Sequence, residues 1–181
     1  MTDFNTMQLI KRRFFAMRNG VIADTLRRNG SPFKIIFGLN LPQIDDIARD
    51  LGKNHQLGET LWANSTTRES MILAPMLMDV NSLSFDDIAA MTAESPAPEI
   101  TDTLVHKLLR HHPDSLNLAK HLARADKAMT RYAAMRMLWH HVYTSQAPEV
   151  KALAEIELEK NEPLTAGPAR QIVNEINEMN Q

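Results

Sequence analysis

The chain has no cysteine among its 181 residues, so disulfides, thiolate metal centres and cysteine nucleophiles are excluded. Aromatic residues make up 6% and the six glycines are scattered, with no Gly-rich strand-to-helix turn that would cradle phosphates. The GxSxG elbow of serine hydrolases and the HExxH zinc signature are both missing. No apolar run approaches the ~18 residues that span a bilayer. The first residues place their charges after a short apolar piece, the reverse of a secretory leader, which points to a cytoplasmic protein. Adjacent histidines, His111-His112 and His140-His141, point about 100° apart on a helix, so neither pair can grip one metal. The carboxylate pairs Asp45-Asp46 and Asp86-Asp87 fall near helix starts, where the helix dipole accounts for them. The reading calls for no cofactor, no metal and no membrane.

What is present is helical spacing. Apolar residues recur every three or four positions along almost the whole chain, and convincing strand alternation is absent. Phe4, Met7, Leu9/Ile10, Phe14 and Met17 mark the first amphipathic helix, with a basic back. Phe33–Leu39 reads as a helical turn or extended connector, because no partner strand lies nearby. Pro75 predicts a kink near Ala74 or an early end after Met78. Later helices are expected over Glu99–His112 and Lys127–Thr144, among ten or eleven in all. Interruptions of two to five residues make consecutive helices antiparallel neighbours. Eleven methionines supply adaptable filling between helices.

Two stretches 61 residues apart, Leu57–Leu77 and Leu118–Leu138, share anchors: Leu57, Leu61, Met76 and Leu77 correspond to Leu118, Leu122, Met137 and Leu138. That offset is about two units of ~30 residues, close to helical-hairpin repeat lengths. The expected fold is all-α, an α-α superhelix of HEAT-like (armadillo-type) repeats in one domain over residues 1–181. Residues from about 150 to 181 would act as a polar cap.

Charge is unevenly distributed. Residues 1–60 carry +3, residues 61–144 carry −1 and residues 145–181 carry −4, for a net −2. Thr103–His141 holds seven basic residues, Lys107, Arg110, Lys120, Arg124, Lys127, Arg131 and Arg136, against Asp114 and Asp126. It also holds six of the seven histidines. Such a band either faces an anion such as the DNA backbone or is an ordinary solvated set of helix faces. Trp62 and Trp139 each follow a leucine near a helix end, and either pack between repeats or stack on a base.

Gly38-Leu39-Asn40-Leu41-Pro42 with Ile47-Ala48, then Leu61-Trp62, Leu73-Ala74, Leu77 and Asp79, carry a family pattern with a one-residue slip. Through them most of residues 10–145 resembles the AlkD-like family of DNA alkylation repair proteins, stacks of HEAT-like repeats. The resemblance implies a Trp, followed four residues later by an Asp, in the stretch matching Ile100–Leu108. Together they would stabilise a cationic alkylpurine as the base departs. Here that stretch has no Trp, the equivalent of the acid falls on Val105, and Asp102 serves only in another register. Arg131 resembles the family's phosphate-binding arginine, with Tyr132 beside it.

Three readings follow. The first is a non-catalytic protein binding duplex DNA through a basic concave surface formed by the seven cations. The second is a scaffold for a protein partner. The third is a residual alkylpurine DNA glycosylase using Asp102 with Trp62 or Tyr132.

Overall fold

A computed structural model describes residues 3–179, the side chains of residues 3–5 excepted. The helical spacing is realised in α1 (Asp3–Ala16), α2 (Gly20–Arg28), α3 (Leu41–Leu51), α4 (His55–Ala63) and α5 (Arg68–Leu77). Then follow α6 (Phe85–Glu94), α7 (Pro98–Lys107), α8 (Ser115–Ala123), α9 (Ala128–Leu138), α10 (Ala147–Glu159) and α11 (Pro163–Met179). Among the described residues there is no strand; a single parallel bridge joins Ile35 to Thr67. The protein is all-α. It forms two compact units, Met1–Asp79 with α1 to α5 and Val80–Gln181 with α6 to α11.

In the first unit α1 buries Ile10 and Phe14, while Leu9 is 46% exposed; Phe4 lies outside the described side chains. α3 begins with a capping box, the Asn40 side chain accepting from Gln43 N–H and Gln43 accepting from Asn40 N–H. Gly52 closes α3 at φ 69°. α5 has no wet face: all ten residues from Arg68 to Leu77 are buried. Its end at Leu77 comes half a turn after Pro75, whose ring cannot continue the hydrogen-bond ladder.

The Phe33–Leu39 connector is extended, and it is fastened rather than paired. Ile35 N–H donates to the Thr66 carbonyl at 3.0 Å and Arg68 N–H donates to the Ile35 carbonyl at 3.1 Å. The buried Glu69 carboxylate accepts from Phe37 N–H (3.0 Å), Gly38 N–H (2.9 Å) and Leu39 N–H (3.3 Å). Arg68 donates to Glu69 and to the Leu39 carbonyl, each at 3.1 Å. Three successive amides around one carboxylate satisfy backbone donors that no strand is there to meet.

The 61-residue correspondence is real in three dimensions. α4–α5 and α8–α9 are both short helix, turn, buried helix, and all eight shared anchors are at most 9% exposed. Gly58 and its counterpart Ala119 are the small buried residues of the first helix in each pair.

Two expectations are corrected. The helix expected over Glu99–His112 stops at Lys107 and tightens into a 3-10 turn, Leu109–His111. Pro113 drives His112 into extended geometry (φ −62°, ψ 132°), so no helix can run through it. The helix expected over Lys127–Thr144 likewise gives way after Leu138 to a 3-10 turn, Trp139–His141, a tightening common at helix C-termini.

Gly38 sits at φ +80°, and a Cβ there would lie 2.2 Å from the Asn19 carbonyl oxygen; at Gly30, also φ +80°, a Cβ would meet open space. Gly30→Ala is expected to cost about 1 kcal/mol, as a left-handed residue does. Gly38→Ala adds a backbone clash and should cost at least ~2 kcal/mol more. Urea unfolding of the two variants checks the difference.

Candidate nucleic-acid interface

α7 and α9 pack against each other in the second unit, and helical spacing aligns a stripe on each. On α7 and its 3-10 extension the stripe is Asp102, His106, Arg110; on α9 and its extension it is Tyr132, Arg136, His140. The stripes meet at Asp102. Tyr132 Oη donates to both carboxylate oxygens, at 3.0 and 3.2 Å, and Arg136 Nε donates to Oδ1 at 2.7 Å. The Asp102 and Arg136 side chains are 40% and 36% exposed, whereas Tyr132 is buried.

Burial pushes the Tyr132 phenol up to about 12, helped by the Asp102 charge and opposed by Arg136. It stays a neutral donor at any physiological pH. Burial also holds the His140 imidazole below its ordinary range, reinforced by the positive charges of Arg110, His106, His141 and Arg136. Arg110 and Arg136 thus lie close enough to this ring to disfavour its charged form, and burial likewise holds the His141 imidazole below its ordinary range. Arg110 Nε also donates to His111 Nε2 at 3.2 Å, and His141 Nε2 pairs with Ser115 Oγ at 3.0 Å.

The remaining cations of the sequence band lie elsewhere. Lys107 is half-buried on the last turn of α7. Lys120 Nζ pairs with Glu149 of α10 at 2.6 Å. Arg124 and Lys127 are exposed at the α8–α9 turn, at the far end of α9 from Arg136, roughly 15 Å along the helix.

Arg131 is 8% exposed and faces inward. Its Nε donates to Glu157 Oε1 at 2.9 Å, and its Nη1 donates to the Ala125 and Asp126 carbonyls at 3.0 and 2.6 Å. Glu157, 1% exposed, also accepts from Lys160 Nζ (2.7 Å) and Thr165 Oγ1 (2.8 Å). Of the aromatic candidates, Trp62 is 9% exposed within the first unit, Trp139 is half-buried in its 3-10 turn, and Tyr132 is engaged with Asp102.

A family model described as DNA alkylation repair enzyme matches residues 10–166. The chain belongs to the DNA alkylation repair enzyme family. No curated protein and no solved structure gives a match. Within this family frame, Val105 is core at 2% exposure, whereas Asp102 is a carboxylate of α7 that reaches the surface. Four residues before Asp102 stands Pro98, the first residue of α7.

His106 and His140 were not among the site residues that sequence reasoning selected. The signal was there: 102, 106, 110 and 132, 136, 140 are two runs at a spacing of four. What sequence could not show is that α7 and α9 face each other along those runs. No group of side chains able to hold a metal occurs among the described residues.

Burial pushes the Glu157 carboxyl up, but hydrogen bonds from Lys160, Arg131 and Thr165 outweigh it and hold the group below the usual range. Its stabilisation is therefore present above the unfolded carboxylate pKa of ~4.3 and lost as pH falls through the lowered folded value. Glu157→Gln, leaving Arg131 buried without its counter-charge, should cost about 3–5 kcal/mol at pH 7. Thermal unfolding between pH 7 and pH 3 should show the variant losing less stability on acidification than the parent.

Proposed function

We propose that the chain binds the sugar–phosphate backbone of duplex DNA through the α7–α9 face and does not excise bases. The reading rests on two arginines, Arg110 and Arg136, standing beside the His140 ring at one end of that helix pair, with His106 on the same α7 stripe, in a chain whose net charge is −2. A cationic patch on an otherwise acidic protein favours a local polyanion over indiscriminate binding. Against catalysis stands the state of Asp102. A carboxylate that stabilises a sugar–base bond as it becomes positive must bring uncompensated negative charge to it. Asp102 already has Arg136 at 2.7 Å, and Pro98 supplies no aromatic face for a cationic purine. We read α4–α5 and α8–α9 as HEAT-like units of a single repeat domain, with Arg124 and Lys127 able to touch a more distant phosphate.

A second reading, residual alkylpurine glycosylase activity, has one observation in its favour: Asp102 is 40% exposed and oriented by Tyr132. Asp102→Asn decides it. On the binding-only reading the parent and the variant leave alkylated DNA with equal base content after long incubation. Release of methylated purine by the parent, lost in Asp102→Asn, would establish the enzyme.

Binding itself is tested by titrating fluorescent duplex DNA at rising salt. Affinity should fall steeply with salt, the log–log slope being about −0.9 per phosphate contacted. Arg110→Gln should lower that slope by about 1 and weaken all sequences alike. Phosphate beside His140 favours imidazolium and opposes the lowering that burial and its cationic neighbours impose, so affinity should rise as pH falls through the histidine range, and His140→Gln should flatten that rise. Absence of binding at low salt would remove the proposal.

A further inference from the structure

The first unit contains a cleft of about 210 Å³, between α1, the Phe33–Leu39 connector and the α4–α5 turn. At about 30 Å³ for each water of bulk liquid, it has room for roughly seven. Its walls are apolar: Ile10 and Phe14 from α1, and Ile35 and Phe37 from the connector. Ile10 and Phe14 are core residues, but Ile35 and Phe37 are only half-buried, leaving apolar surface accessible. The Phe14 and Phe37 rings lie 5.6 Å apart, tilted by 47°, so a third ring can meet one by its face and the other by its edge.

The polar residues lining the cleft are Gln8, Lys11, Asn64, Thr67 and Ser70. Asn64 Nδ2 donates to Ser70 Oγ at 3.0 Å, and both residues line the cleft. An amide nitrogen carries two hydrogens, so Asn64 keeps donor capacity beyond that bond. On the α1 side Lys11 lines the cleft, and it also lines an adjoining depression of about 440 Å³ with Arg12 and Phe15. Phe15 is 58% exposed, and Arg18 stacks over its ring at 3.9 Å.

Some cations of the unit are neutralised by carboxylates: Arg13 pairs with Asp50, Arg27 with Asp24, Arg49 with Asp46 and Arg68 with Glu69. Lys11 and Arg12, like Arg18, Arg28, Lys34 and Lys53, are not among the described residues' ion pairs; of these Lys11 lines the cleft and Arg12 its adjoining depression. A partly open cleft with aromatic walls, several hydrogen-bonding groups and a cation at its edge is the composition of a small-ligand site.

We propose that this cleft binds a small aryl carboxylate. The ring sits against Phe14 and Phe37, and the carboxylate lies toward Lys11 and Arg12. The site belongs to the first unit alone and is independent of the α7–α9 reading.

The test is a titration of the ¹⁵N-labelled full chain with phenylacetate and with neutral phenylacetamide, followed by NMR. Phenylacetate should give saturable shifts at the amides of Ile35, Phe37 and Asn64, with a Kd of roughly 0.1–1 mM, as suits a ligand of its size. Phenylacetamide should bind about tenfold more weakly. Lys11→Glu with Arg12→Glu, both on exposed positions, should weaken phenylacetate about tenfold and leave phenylacetamide unchanged. Ile35→Trp should fill the cleft and abolish both. No saturable shift up to about 10 mM phenylacetate, or equal affinity for acid and amide, would overturn the proposal.

Discussion

Arg131 and Glu157 meet where the second unit has no water to offer. α9 is buried along most of its length, and the Arg131 guanidinium, on its inward side, must find acceptors within the protein. It finds three: the Glu157 carboxylate and the two carbonyls at the end of the α8–α9 turn. Glu157 in turn holds Lys160 and Thr165, so one carboxylate links α9, α10 and the start of α11. Removing either member would strand the other charge, which is why a buried pair dictates geometry even where its net contribution is small. In the first unit α5 is buried on every side, and Arg68 and Glu69 solve the same problem against the backbone of the connector.

That constraint also shapes what the surface can do. Once Arg131 faces inward and Lys120 faces Glu149, the band of the second unit leaves Arg110 and the half-exposed Arg136 at one end of α9 and Arg124 and Lys127 exposed at the other. Asp102 stands beside Arg136 and is neutralised by it, with Tyr132 fixing the orientation of its carboxylate. A carboxylate already paired with a guanidinium brings little uncompensated negative charge to its surroundings.

Much of the fold could be read directly. Helices at Leu41–Leu51, His55–Ala63 and Phe85–Glu94 have their apolar spacing, and Asn40, Asn54 and Ser84 cap them as short polar side chains do. The repeat between Leu57–Leu77 and Leu118–Leu138 was visible because the same buried positions recur in both hairpins. The connector was harder. Phe33–Leu39 has strand-like composition but no strand partner, and the residue that holds it, Glu69, lies some thirty positions away. No local pattern announces a carboxylate that serves a distant backbone.

By itself the sequence determined an all-helical chain, its repeated hairpin, its family and the band in which its positive charge lies, because periodicity, capping and composition act between residues close along the chain. Only the tertiary structure decided which cations remain outside. Arg131 and Arg136 are five residues apart on one helix and look equivalent in sequence, yet one is enclosed with Glu157 and the other lies at the surface beside Asp102. The difference comes from which helices pack on each side of α9, and pairing between distant segments is what a local pattern does not encode.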